Sequence, residues 1–299
     1  MTALAELFRL EPDHLHVWSL RLDLSPGTRG RLERVLAADE AARARRFLAA
    51  ADRTRFAVAH GLLRVVLSGY LNTRPEDVAL ETAAGGKPRV AGGAGPSFSL
   101  SHSGALGLVA VSAGGEVGVD LEGIRDVGDV TGLAATCFSP VEQAALAALP
   151  AARRQRAFFT GWSRKEAFLK VLGEGLSRPL DSFDVSLAPG VPARVLRVAG
   201  APEAAGQYSI RSWRPAPGYV GAVAVASSRP SVRFRSWQSL SALVQQLPAP
   251  ASGSPSRSRR SPAGERAREL RYQPYRGRLS GQPWAARIGV RGISDDSIS

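Results

Sequence analysis

Cysteine is almost missing: Cys137 stands alone in 299 residues. A single thiol excludes an internal disulfide and any cysteine-rich metal site, and it fits a reducing cytosol. Long apolar runs are missing too. Segments such as 105–111 and 220–226 fall far short of the roughly 20 residues a membrane helix needs. Met1 to Leu10 shows no basic stretch leading into an apolar run, and Glu6 and Arg9 interrupt it, so no signal peptide is expected. These absences point to a soluble protein. With 44% hydrophobic residues, the chain can bury one large core or two small ones.

Lysine is the next scarcity. There are three (Lys87, Lys165, Lys170) against 36 Arg. Where nearly all positive charge is guanidinium, a surviving ammonium marks a place that wants a compact, rotatable or deprotonatable cation. Two of the three sit in Trp162-Ser163-Arg164-Lys165-Glu166-Ala167-Phe168-Leu169-Lys170. The net charge of +13 invites a nucleic-acid reading, but residues 251–299 hold ten Arg against four acids, a local +6, and leave +7 to the rest. After Pro248 the chain is Ser/Pro/Gly/Arg-rich without periodicity, which reads as a linker and disordered tail. A moderately basic globule suits a phosphate-bearing ligand or an acidic protein partner as well as it suits DNA.

Residues 16–24 alternate like a strand, with Trp18, Leu20, Leu22 and Leu24 on one side. Helices are expected over 28–38, over 39–49, and from an Asp52 cap to Leu71. A Gly/Pro-rich segment follows, then strands over 97–101 and 106–112. The pattern then restarts. A strand is expected over 116–121, a helix over 140–148 capped by Ser139 with Glu142 closing a capping box, and a long helix over 151–172. Strands are expected over 183–187, 193–198, 208–213 and 219–226, and residues 232–247 close the domain. FSLSHSGALGLVAVS (98–112) and YSIRSWRPAPGYVGAVAVAS (208–227) both end in a small-residue apolar strand after a glycine turn. A twofold α+β pseudo-repeat is the economical reading, and ligands often bind where such halves meet.

Several chemistries are excluded by absent motifs. There is no Walker A loop, no G-x-G-x-x-G after a strand, and no G-x-S-x-G elbow to serve a Ser-His hydrolase. What is present is more specific. In Gly118-Val119-Asp120-Leu121-Glu122-Gly123, strand alternation puts Asp120 and Glu122 on one face; they form either a solvated strand end or a site for a hard cation such as Mg²⁺. Ser101-His102-Ser103-Gly104 offers hydroxyls, an imidazole and turn amides to a phosphate, or a structural histidine. Gly85-Gly86-Lys87-Pro88 is either a plain turn or a backbone that a flat ligand can approach. Arg43, Arg45, Arg46 and Arg55 form either a solvated helix face or part of an anion site. On the long helix, Trp162, Glu166 and Lys170 lie four residues apart on one face, an ordinary surface pair when read alone.

Taken together and in order, G-K-P, F-S-L-S-H-S-G, G-V-D-L-E, W-S-R-K-E-A-F-L-K and the trailing L-S-R-P-L-D-S-F resemble the 4′-phosphopantetheinyl transferase superfamily. The likeness is to its larger, pseudo-dimeric Sfp-type group, which activates peptide and polyketide synthases, and it covers roughly residues 15–228. It implies an α+β fold of two similar halves related by a pseudo-twofold, with the active site between them. Residues 1–114 would bind the coenzyme A adenine and 3′-phosphate, 115–247 would carry Mg²⁺ and the catalytic helix, and 248–299 would be the tail. The implied activity is holo-[acyl-carrier-protein] synthase chemistry: Mg²⁺-dependent transfer of the phosphopantetheine arm of coenzyme A to a serine of an acyl or peptidyl carrier domain, in a cytoplasmic monomer. By resemblance, Asp120, Glu122 and Glu166 would bind Mg²⁺, and Lys170 with Lys165 would neutralise the pyrophosphate. His102, Arg55 and Arg43 would meet the 3′-phosphate, while Gly86, Lys87, Pro88 and Ser101 would frame the adenine. Glu166, directly or through a metal-bound water, would be the base for the attacking serine, and Lys170 the acid for the leaving group. Two other readings are an inactive relative that binds carrier domains and a nucleic-acid binder acting through the tail.

Overall fold

The structure is a computed structural model that describes residues 6–83, 85–173, 178–188 and 190–249. The expected tail lies outside them beyond residue 249. The first half runs β1 (His14–Arg21), α1 (Pro26–Glu33), α2 (Ala38–Ala44), α3 (Ala50–Leu71), β2 (Leu80–Thr82), β3 (Pro88–Val90), β4 (Ser97–Ser103) and β5 (Leu106–Ser112). The second runs β6 (Val117–Gly123), α4 (Val130–Cys137), α5 (Pro140–Ala147), α6 (Ala151–Leu172), β7 (Phe183–Val185), β8 (Val195–Val198), β9 (Ser209–Trp213) and β10 (Tyr219–Val225). β11 (Ser231–Arg235) and α7 (Trp237–Gln246) complete the described chain.

The pseudo-repeat is visible in the sheets. One has the order β11-β1-β5-β4 and the other β6-β10-β9, so each half pairs its first strand with the last of its own three. The sheets pack face to face through Leu15, Val17, Leu108 and Ala110 on one side and Val117, Val119, Leu121 and Val223 on the other. Alternation sends the intervening residues outward. Trp18, Leu20, Val109 and Val111 pack under α3, and Ala222 and Ala224 pack under α6. The result is four layers, helix–sheet–sheet–helix, with apolar contact at every interface.

Several expectations change, and the helices expected over 28–38 and 39–49 are shorter, at Pro26–Glu33 and Ala38–Ala44. β1 begins at His14 and ends at Arg21, because it pairs in parallel with β11 from His14 onward. Asp52 is not the cap of α3: Ala49 is the N-cap, and Asp52 sits inside the first turn, where an acid suits the positive end of the helix dipole. The division between residues 114 and 115 is also incomplete. β11 returns to cover the edge of β1, and α7 buries Leu240 and Val244 in the first half's core. An uncovered β1 would leave a row of unpaired backbone groups at a sheet edge.

Candidate active site

β6 and α6 build the site. On β6, Gly118, Asp120 and Glu122 share the face turned to α6. A Cβ at Gly118 would lie 2.7 Å from Lys170 Cβ and closer still to the carbonyl oxygen of Ala167. Glycine there lets the helix settle onto the strand, which brings the Lys170 ammonium to 2.8 Å from both Asp120 Oδ1 and the Val119 carbonyl. Ser101, reaching across from β4, donates to the same Asp120 Oδ1 at 3.1 Å. Asp120 is fully buried, yet among the described residues its Oδ2 has no hydrogen-bond partner. Leaving a buried carboxylate oxygen bare is costly, and one so placed is prepared for a ligand the protein does not itself supply.

Glu122 is held from two sides. The Trp162 indole N–H donates to Oε1 at 3.1 Å, and Arg125 lies 3.7 Å from Oε2. Trp162 thus does more than anchor the helix. Glu166, 7% exposed, sits one turn from each neighbour on that face, between the residue that meets Glu122 and the one that meets Asp120. The surface-pair reading of Glu166 and Lys170 fails, because Glu166 is buried and Lys170 is paired to Asp120.

Lys165 departs from its expected role. It is wholly buried, with its ammonium 2.8 and 2.6 Å from the two Glu142 oxygens, 2.8 Å from the Phe183 carbonyl and 4.3 Å from the Phe183 ring centre. Glu142 also accepts from the Ser139 and Val185 amides. Burial pushes the Lys165 pKa down and the Glu142 pKa up, and each group holds the other's charge in place. With its donors taken, Lys165 cannot reach a pyrophosphate; it ties α6 to α5 and β7. Arg164 is likewise buried, bound to Ser186 and Ser212, and burial lowers its pKa to about 10.

The first half contributes a rim. Arg55 lines a cleft of about 370 Å³ with Arg29, Thr54 and Ala105, and pairs at 3.3 Å with Asp52. Arg43 lies over the Phe56 ring, 5.2 Å from its centre. His102, nearly buried, follows Ser101 on β4, so it turns to the α3 side of the sheet while Ser101 turns to β6. Gly86 takes a positive φ of 83° in the turn joining β2 to β3. Lys87 folds back to ion-pair with Glu116 and donates to the Val117 carbonyl at 2.7 Å, and Pro88 opens β3. Ser101 does not frame a ligand: it is 1% exposed, and its hydroxyl is shared between Asp120 and the Leu121 amide.

The residues around Asp120 fit a hard divalent ion in their chemistry, since all the donors are carboxylate oxygens and one is bare. Their ligand atoms are not drawn into one tight set here. Among the described residues the trio within 4.8 Å of one another is Glu11, Asp13 and His14. That trio is already countered by cations: Arg9 lies 3.3 Å from Glu11, and Arg233 lies 3.2 Å from His14 Nε2. It is an ion-pair cluster at the start of β1.

Residues 116–224, from just before β6 to the penultimate residue of β10, match the model of the 4′-phosphopantetheinyl transferase superfamily. The 4′-phosphopantetheinyl transferase HetI of a Nostoc species is 36% identical over 217 residues, which cover 72% of this chain and 88% of the relative. The chain belongs to this superfamily. The 4′-phosphopantetheinyl transferase Sfp of Bacillus subtilis is 30% identical over 182 residues, 61% of this chain and 78% of its own length, which places the chain in the Sfp-type group. The family match therefore begins one residue ahead of the strand bearing Asp120 and Glu122 and takes in all of α6. No helix among the described residues is long and apolar enough to cross a membrane.

Proposed function

We propose that this chain transfers the phosphopantetheine arm of coenzyme A to the serine hydroxyl of an acyl or peptidyl carrier domain, releasing adenosine 3′,5′-bisphosphate, in the manner of a holo-[acyl-carrier-protein] synthase. The observation that carries this reading is the two-sided Asp120 carboxylate. One oxygen is held by Lys170 and Ser101; the other is buried and bare, on the strand packed against the helix face of Glu166. An ammonium beside carboxylates that could take a divalent cation suits a ligand rich in phosphate charge.

Asp120, Glu122 and Glu166 would hold Mg²⁺, which supplies charge neutralisation at the pyrophosphate when bound. Lys170, 22% exposed at its side chain, offers an ammonium to phosphate oxygens and a proton to the departing bisphosphate. A serine hydroxyl is a poor nucleophile at neutral pH, and Glu166 is the acceptor for its proton. The serine oxygen bonds to the β-phosphorus as the bond to the bridging oxygen breaks, and that electron pair leaves with the nucleotide. Arg55, His102 and Arg43 receive the 3′-phosphate, and the backbone of Gly86, Lys87 and Pro88 flanks the adenine. The Arg-rich surface complements acidic carrier domains. The buried thiol of Cys137, pushed up to about 12 by burial, is inert and suits a cytoplasmic enzyme.

The test is mass spectrometry of apo carrier domains incubated with the full chain, coenzyme A and Mg²⁺. A gain of one phosphopantetheinyl group is expected. A folded chain that leaves fatty-acid, polyketide and peptide carriers all unchanged overturns the proposal and returns the reading to a carrier-binding relative without activity. Deleting residues 251–299 should leave transfer intact; loss of function on that deletion would favour nucleic-acid binding through the tail.

A further inference from the structure

The two halves meet at an unusual seam. β4 runs alongside β6, but the contact is made by side chains. Ser97, Ser99, Ser101 and Ser103 accept from the amides of Val117, Val119, Leu121 and Gly123 at 3.2, 3.1, 3.2 and 3.1 Å. Period-two alternation turns every second residue of Ser97–Ser103 towards β6, and hydroxyl oxygens take the place that carbonyls would hold in a paired strand. Ser99 and Ser101 are near-equivalents in this comb: both are buried and each satisfies one β6 amide. They differ in one respect. A hydroxyl has a donor as well as acceptor capacity, and Ser101 spends its proton on Asp120 Oδ1.

We propose that Ser101 is a positioning residue: it orients Asp120 from across the half boundary, so that Oδ2 stays presented to the cation. This rests on the transferase reading above. Two donors hold Oδ1, Ser101 at 3.1 Å and Lys170 at 2.8 Å. Lys170 is the one that reading also requires at the pyrophosphate, so its hold on Asp120 weakens as substrate binds. Ser101 has no second duty of that kind. It keeps the carboxylate from rotating when the ammonium turns to phosphate, and it does so from the first half of the chain, so the geometry of the cation site depends on the two halves staying in register.

The experiment is a titration of the full chain with Mn²⁺ in the presence of coenzyme A, read by electron paramagnetic resonance, beside the Mg²⁺ dependence of transfer. Ser101→Ala should weaken Mn²⁺ binding by about 10–100-fold and raise the Mg²⁺ needed for half-maximal transfer by a similar factor. Ser99→Ala loses the same kind of amide bond, so it should lower the melting temperature comparably while binding Mn²⁺ as the unaltered chain does. If Ser101→Ala does not fold, Ser101→Cys, near-isosteric with a weak donor, is read the same way. Binding by the Ser101 variant equal to that of the Ser99 variant overturns the proposal. An unaltered chain that neither binds Mn²⁺ nor transfers overturns the transferase reading instead.

Discussion

β1 and β6 are each the first strand of a half, and each lies under a 22-residue helix, α3 or α6. Their helix-facing residues differ completely. β1 offers His16, Trp18 and Leu20, while β6 offers Gly118, Asp120 and Glu122. Near the end of α3, Tyr70 takes a bond from the Trp18 indole at 2.9 Å and lies 2.7 Å from His16 Nδ1. Near the end of α6, Lys170 meets Asp120 and the Val119 carbonyl. Among the described residues, the same corner of the repeat is thus a neutral network in one half, where His16 Nε2 is bare, and a charged one in the other, where Asp120 Oδ2 is bare. Their open edges are closed differently too, β1 by the backbone of β11 and β6 by the serine comb. Two similar positions thus carry different chemistry: a bare imidazole nitrogen in one half and a bare carboxylate oxygen, able to take a cation, in the other.

The largest effect should come from the buried pair behind α6. Lys165→Ala leaves the Glu142 carboxylate buried without its cation and should cost about 3–5 kcal/mol in denaturant unfolding. The nearest parallel in α3 is Arg64, 2.5 Å from Glu40 Oε2. Removing it should cost less, because Glu40 keeps His60 at 3.1 Å and the Ala37 amide at 2.9 Å. Equal losses at the two positions would show that α6 is no more dependent on its internal charges than α3.

Next is Asp120→Asn. Transfer should fall by about 10²–10³-fold, the usual cost of losing one preorganised electrostatic contact. Stability should hold or rise, since a buried charge with a bare oxygen is gone. A drop in melting temperature with transfer preserved would make Asp120 a structural residue like its counterparts on β1.

Acid should expose the neutral half. Burial first, then the neighbouring charges of Arg235, His14 and Arg233, lower the His16 pKa from 6.5 to about 4. The folded state refuses a proton that the unfolded chain accepts, so stability should decline as pH falls from 6.5 towards 4 and level off below. The loss is on the order of 3 kcal/mol. Glu40 titrates in a separate window. Burial raises its pKa, but His60, the Ala37 amide and Arg64 outweigh that and hold it at about 2, so its contribution fades only as pH falls below 4.5. Replacing His16 with Gln should flatten the upper window alone, as followed by urea midpoints across pH.

The charged corner was more legible in the sequence than the neutral one. Asp120-x-Glu122 and the four-residue spacing of Trp162, Glu166 and Lys170 are local signals that survive into the folded site, and α6 spans 151–172 as its apolar periodicity predicts. Lys165 was misread because its partner Glu142 lies 23 residues away, and only the packing of α5 on α6 brings them together. Ser101 was misread for a related reason. The run Ser97-x-Ser99-x-Ser101-x-Ser103 has period two, a signal that was available, but a polar strand face usually meets water and nothing local says it meets another strand. The β2–β3 hairpin and α4 are too short to announce themselves by periodicity. β11 pairs in parallel with a strand more than two hundred residues earlier, a contact no local pattern encodes.

The smallest effect is the one that isolates the neutral network. Tyr70→Phe keeps the ring that packs edge-on against Phe8 at 5.2 Å and removes only the hydroxyl. The Trp18 indole N–H and His16 Nδ1 then lose their shared partner in a dry site, at a cost of about 1–3 kcal/mol. Transfer rates per folded molecule should not change, because that hydroxyl serves β1 and α3 and nothing on β6. Lys170→Met, the matching change at the other corner, should stop transfer, and it should cost stability as well, because the buried Asp120 carboxylate loses its cation. If Tyr70→Phe slowed transfer as well, the packing of β1 under α3 would have to reach Asp120 through β5 and the serines of β4, and the division of labour between the halves would be weaker than their chemistry implies.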